Sequence, residues 1–137
     1  MDLPEFCLRG IRRQDWILPD EKVSAEAFEP DKNQPREDGL IEASINWEDD
    51  ETVLYFCFDK CKDTFVYGAV RLAKNLMDHL IANNDVGRFS YERKEIKNNE
   101  HHGNLLFDSS TQQRSRRLLQ GALALYSSRA IHDERIK

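Results

Sequence analysis

The sequence has no long apolar run, no basic and apolar leader, and only three cysteines. No stretch approaches the roughly 18 apolar residues that a membrane-spanning helix needs, which argues against a helical membrane protein. Met1-Asp2-Leu3-Pro4-Glu5 carries neither the basic nor the apolar region of a secretory leader, so a cytoplasmic location is expected. An odd number of cysteines in such a chain points to free thiols at Cys7, Cys57 and Cys61 rather than a disulfide framework. Glycine-rich phosphate loops, G-x-S-x-G elbows and H-E-x-x-H helices are all absent from the sequence, as are internal repeats and low-complexity tracts. Those absences remove the readily readable enzyme classes.

What is present suffices for a core. The chain has 137 residues, 39% of them hydrophobic and 33% charged, with seven Phe, four Tyr and two Trp. One domain spanning 1–137 is the expectation, with a loop-rich segment over 12–39 that holds Pro19, Pro30 and Pro35. The net charge of −5 hides a polarity: residues 1–63 hold 17 acidic against 8 basic groups, and residues 64–137 hold 8 against 12. Such a split suits a charged partner or self-association, although solvated faces are the favoured account of it.

Periodicity predicts the elements. Phe6–Ile11 reads as a strand with Phe6, Leu8 and Ile11 toward a core and Arg9 on the opposite face. Trp16, Ile17 and Phe28 are expected to anchor the following segment, and Leu40–Asn46 alternates as a strand. Val53–Phe58 is ambiguous between strand and helix, with Asp49-Asp50-Glu51 ahead of it favouring a helix start. Ala69, Leu72, Ala73, Leu76, Met77, Leu80 and Ile81 follow helical spacing, predicting a helix over 68–82 that ends at Asn83-Asn84. Segments 89–96 and 103–107 read as a hairpin joined by Lys97-Asn98-Asn99-Glu100. A last helix is expected over about 111–130, capped through Ser109/Gln112 or Ser110/Gln113, with Leu118, Ala122, Leu125 and Tyr126 facing the core and Gly121 a weak point. The predicted class is therefore α+β: a small, mainly antiparallel sheet with two amphipathic helices packed on it.

The densest polar cluster is Tyr91-Glu92-Arg93 with His101-His102-Gly103-Asn104. An imidazole titrates near neutrality, so His101 or His102 is the candidate general base, with Arg93 stabilising negative charge and Arg9 gripping a phosphate-containing substrate. The favoured reading of the same turn is structural, with Asn104 and one imidazole bonding loop backbone. Under a binding role, Tyr91, Glu92, Asn104, Arg114 and Arg117 are the candidate contact residues. Cys57, Cys61, His101 and His102 supply four zinc-type ligands, but their spacing matches no zinc module, and no metal or other cofactor is expected. Arg114, Arg116 and Arg117 make a modest basic footprint without interleaved aromatics, so nucleic acid is not the expected partner.

Two resemblances bear on function. Arg9, Ser24 and Phe28 resemble the opening of the ADP-ribosyltransferase fold, which implies a strand-borne arginine gripping a dinucleotide and a serine on the next strand; no third-motif glutamate is assignable. Leu8-Arg9, Ser24-x-x-x-Phe28, Phe89–Arg93 and His101–Leu106 together resemble small uncharacterised bacterial proteins, some from antiphage or toxin-linked loci. That pattern implies an accessory role. The leading expectation is a non-enzymatic protein that binds another protein, with homo-oligomerisation left open; the alternative is a small hydrolase or ADP-ribosyltransferase-like enzyme acting on a nucleotide or phosphate-containing substrate.

Overall fold

The structure is a computed structural model that describes residues 2–31, 34–83 and 88–135. Asn84, expected to help close the second helix, lies outside them, as do Lys32 and Asn33 of the proline-containing segment.

Five strands form one antiparallel sheet: β1 (Phe6–Gly10), β2 (Leu40–Trp47), β3 (Ala69–Ala73), β4 (Phe89–Arg93) and β5 (His102–Asp108), in the order β3-β1-β2-β5-β4. Three helices accompany them: α1 (Val53–Lys60), α2 (Lys74–Ala82) and α3 (Gln113–Tyr126). The α+β architecture read from the sequence is thus present. Among the described residues no helix is long and apolar enough to cross a membrane.

Alternation along the strands sorts side chains onto two faces. Cys7, Ile41, Ala43, Ile45, Trp47, Leu105 and Phe107 share the main core with Met77 of α2, Leu119 and Leu123 of α3, and Phe28 of the 3-10 turn Ala25–Phe28. On the other face Leu8 and Ala69 pack with Val53 and Cys57 of α1 and with Phe65. Both faces of β1 are therefore covered. Arg9 is accordingly buried, at 8% exposure, rather than pointing to solvent from an open face.

Two elements differ from expectation. The segment predicted as one helix over 68–82 is strand β3 followed by helix α2. Ala69, Leu72 and Ala73 satisfy a helical pattern, but β1 needs an edge partner, and the register Phe6↔Ala73 through Gly10↔Ala69 supplies one. Turning begins where the Lys74 N–H donates to the Glu5 carbonyl at 2.8 Å.

α3 is rotated relative to the reading from its apolar spacing. Its buried side carries Arg116, Leu119, Gln120, Leu123 and Ala124, whereas Leu118, Leu125 and Tyr126 are 60%, 70% and 41% exposed. Gln120 Nε2 donates to the Ala25 carbonyl at 3.1 Å, which orients that polar-containing side inward. Nor does a capping box start the helix. Gln112 is the N-cap without a side-chain bond, while Ser109 Oγ donates to the Gly39 carbonyl and Ser110 Oγ to Asp108.

Gly103 is required by contact. The Trp47 indole N–H reaches across β5 to the Glu92 carbonyl of β4 at 3.1 Å, and a Cβ at Gly103 would lie 2.5 Å from that nitrogen.

Candidate functional site

β4 and β5 form the expected hairpin, and it brings part of the predicted cluster together at the end of the sheet near α1. Arg93, last in β4, forks onto Asp49 in the turn after β2, with Nη1–Oδ1 at 2.7 Å and Nη2–Oδ2 at 2.6 Å. Its Nη2 also donates to the Glu100 carbonyl at 3.0 Å. His101 places Nδ1 2.6 Å from Asp49 Oδ2, and its ring stands edge-on to Phe56 at 5.1 Å between centroids. With the carboxylate accepting, Nδ1 carries a proton, and Nε2 lies 3.9 Å from Glu100 Oε1. The hydrogen bonds from Arg93, then that from His101, hold the Asp49 carboxyl below the ordinary carboxylate range.

The turn itself is built from amides. Asn99 Oδ1 accepts from the His101 N–H at 3.0 Å, and Asn99 Nδ2 donates to Asn46 Oδ1 at 2.7 Å and approaches Cys61 Sγ at 3.9 Å. Asn46 and Asn99 are both buried, so each amide would be costly to leave unbonded. His102 does not join the cluster. Its Nδ1 donates to the Lys94 carbonyl at 2.8 Å, a structural use of the imidazole at the base of the turn.

Strand alternation divides the remaining residues. Tyr91 turns to the helix face, edge-on to Trp47 at 5.5 Å, and its hydroxyl donates to Asp78 of α2. Glu92 turns to the opposite face, where Oε2 accepts from Asn104 Nδ2 at 2.8 Å and from Arg36 Nη1 at 2.9 Å. Asn104 Nδ2 also donates to Glu42 Oε2 at 2.5 Å. Glu92 and Asn104 thus belong to a separate polar knot with Arg36 and Glu42, while Arg114 and Arg117 lie exposed on α3, away from the hairpin in the chain.

Arg9 lies elsewhere again. β1 and β2 are paired at Cys7↔Trp47 and Leu8↔Asn46 and then part. The Arg9 guanidinium fills the wedge, donating to the Ser44 carbonyl at 2.8 Å, the Ala27 carbonyl at 2.9 Å and the Glu29 carbonyl at 3.5 Å. Burial, and secondarily the neighbouring Arg12 charge, lower its pKa to about 10. A cavity of about 570 Å³ opens beside it, lined also by Arg12, Trp16, Glu26, Glu42 and Phe65. Ser24, however, is the N-cap of a 3-10 turn and not a strand residue, and Phe28 is wholly buried, so the residues resembling the ADP-ribosyltransferase opening do not form the strand pair that the resemblance implies.

Comparison with family models, curated proteins and solved structures finds no match.

Sequence reasoning missed Asp49, Asn99 and Phe56 at the hairpin and Arg36 and Glu42 at the second knot. Asp49 was disguised by the acidic run that reads as a helix start, Asn99 by its place in a turn read only as a connection, and Phe56, Arg36 and Glu42 come from distant segments whose approach only the sheet order reveals. Chemically, the hairpin site holds an oriented imidazole, but the Arg93 fork is closed on Asp49 and is not presented to a substrate. An aligned row of exposed apolar side chains lies on α3. Arg114, Leu118, Gly121, Ala122 and Leu125 fall on one side of that helix by its 3.6-residue period, with Tyr126 at the margin.

Proposed function

We propose that the protein is a non-enzymatic binding module that docks another protein on the outer side of α3. The observation that carries this reading is the exposed apolar stripe, in which Leu118 and Leu125 stand two turns apart at 60% and 70% exposure. Isolated exposed leucines are ordinary, but an aligned row on one helix is the geometry of a helix-in-groove or helix-on-helix contact. Gly121 and Ala122 between them leave room for a partner backbone to approach, since nothing lies within 4 Å of where a Gly121 Cβ would stand.

Charge selects the class of partner. The 14 residues of α3 include Arg114, Arg116 and Arg117 and no Asp or Glu. An acidic amphipathic helix complements that surface in both respects: its apolar row covers the leucines and its carboxylates meet Arg114 and Arg117. The accessory setting in a bacterial defence or toxin-linked system, which the sequence pattern resembles, is part of the same proposal.

The test is site-specific photo-crosslinking from position 125 in the cell that makes the protein, repeated with Leu118→Asp, and with position 36 as a control. Attachment to an acidic helical segment of one partner, lost in Leu118→Asp and absent from position 36, is the expected result. Attachment to a second copy of this chain would replace the partner by self-association, and equal labelling from both positions would end the proposal.

A second reading, a small hydrolase with His101 as base, is favoured by the Asp49–His101 contact alone. Under it, His101→Gln abolishes turnover of a phosphodiester substrate while the crosslink from position 125 is unchanged; under the binding reading there is no turnover to lose.

A further inference from the structure

Cys57 and Cys61 are separated by one helical turn at the end of α1, where the Cys61 N–H donates to the Cys57 carbonyl at 2.9 Å. Helix geometry sets Cα atoms four residues apart at about 6.2 Å. That separation lies within the range a disulfide spans. The i, i+4 spacing sets the two side chains on the same side of α1, one turn apart.

Their surroundings differ. Cys57 is wholly buried, whereas Cys61 is partly exposed. Asn99 Nδ2, anchored by Asn46, points a donor at Cys61 Sγ at 3.9 Å. His101, held by Asp49, follows Asn99 by two residues in the same turn, and its backbone N–H donates to Asn99 Oδ1. Cys57 donates to Cys61, and this hydrogen bond, followed by the His101 charge, brings the Cys61 pKa down to about 7 against the opposing effect of burial. The same hydrogen bond, and then burial, push Cys57 upward. One sulfur is thus poised as the thiolate and the other as a retained thiol behind it. Its partial exposure leaves Cys61 open to a small reagent.

We propose that Cys61 is a site of oxidation by hydroperoxides and that Cys57 is its resolving thiol, the pair closing into a disulfide within α1. In the first step the Cys61 thiolate attacks one oxygen of the peroxide. An S–O bond forms, the O–O bond breaks, sulfur gives up two electrons, and the departing alkoxide or hydroxide takes a proton from water. In the second step Cys57 sulfur attacks the sulfenic sulfur; the S–S bond forms, the S–O bond breaks, and hydroxide leaves with the Cys57 proton as water. Altogether two thiols lose two electrons and two protons, and hydrogen peroxide becomes two waters.

The experiment treats the intact protein with one equivalent of hydrogen peroxide and maps its peptides without reduction. The expected product lacks two hydrogens and carries a Cys57–Cys61 crosslink, while buried Cys7 remains a thiol. Cys57→Ser should stop at a sulfenic acid on Cys61 that dimedone traps, and Cys61→Ser should give neither product. Alkylation of Cys61 by iodoacetamide at pH 7 should be slower in Cys57→Ser, which removes the thiol donor to the Cys61 sulfur, and less so in a folded His101→Gln variant, as the thiolate fraction falls. Wild-type protein that keeps three free thiols under conditions that oxidise free cysteine would overturn the proposal, as would preferential oxidation of Cys7. Neither result bears on docking at α3, so the two proposals fail separately.

Discussion

The hairpin end of the sheet and the outer side of α3 are opposite cases. At the hairpin, many polar groups converge and answer one another: Arg93 and His101 close on Asp49, Asn99 on Asn46, and His102 on a main-chain carbonyl. On α3, apolar groups line up and are answered by nothing else in the described chain. Density of chemically versatile side chains is thus a poor guide to where a protein meets the outside. What remains unsatisfied after folding is a better one, because a group already bonded must give up that bond before it can serve a ligand.

The largest effect that tests the contrast comes from the inner side of the same helix. Leu123→Ala removes a fully buried side chain from the main core and is expected to cost about 2–5 kcal/mol in denaturant unfolding. A loss no greater than that of Leu125→Ala would mean that the two sides of α3 have been confused.

Asp49→Asn should cost less, about 1 kcal/mol, because the turn around it is part-exposed and Arg93 keeps its bond to the Glu100 carbonyl. Its pH signature is more telling. A carboxyl whose folded pKa is depressed contributes stability above its unfolded value near 3.9 and loses it as pH falls through the folded value. The difference in unfolding midpoint between wild type and Asp49→Asn should therefore be full at neutral pH and shrink at acid pH. A difference independent of pH would place the effect in packing.

Gly121→Ala should stabilise the protein by roughly 0.5–1 kcal/mol, since a helix-interior glycine is replaced and the new methyl meets no neighbour. The same methyl sits on the proposed docking side, so thermal midpoint and crosslinking yield should move in opposite directions. Leu125→Ala is the smallest, within about 0.5 kcal/mol of wild type, because its side chain is mostly in water already.

The sequence showed the hairpin plainly: two alternating segments around a polar turn leave few other folds, and β4 and β5 appear where expected. It concealed β3, because Ala69, Leu72 and Ala73 fit a helical period as well as a strand, and the need of β1 for a partner is non-local. It misdirected at α3 for a different reason. That helix has two apolar rows, and the buried one includes Arg116 and Gln120, so pattern alone favoured the cleaner row, which is the exposed one. At the site, His101 was legible as a reactive side chain, but its partner Asp49 lies 52 residues away in sequence and only folding joins them.

The indole of Trp47 crossing bare backbone at Gly103 also acts as a key in a lock. Sliding β5 by one residue relative to β2 would bring His102 or Asn104 beneath the ring and invert the side chains of the whole strand. The hairpin is consequently indexed by a single absent side chain: any residue larger than glycine at 103 obstructs the native alignment itself, so the damage from Gly103→Ala should appear as misregistered or unfolded protein rather than as a local loss at the turn.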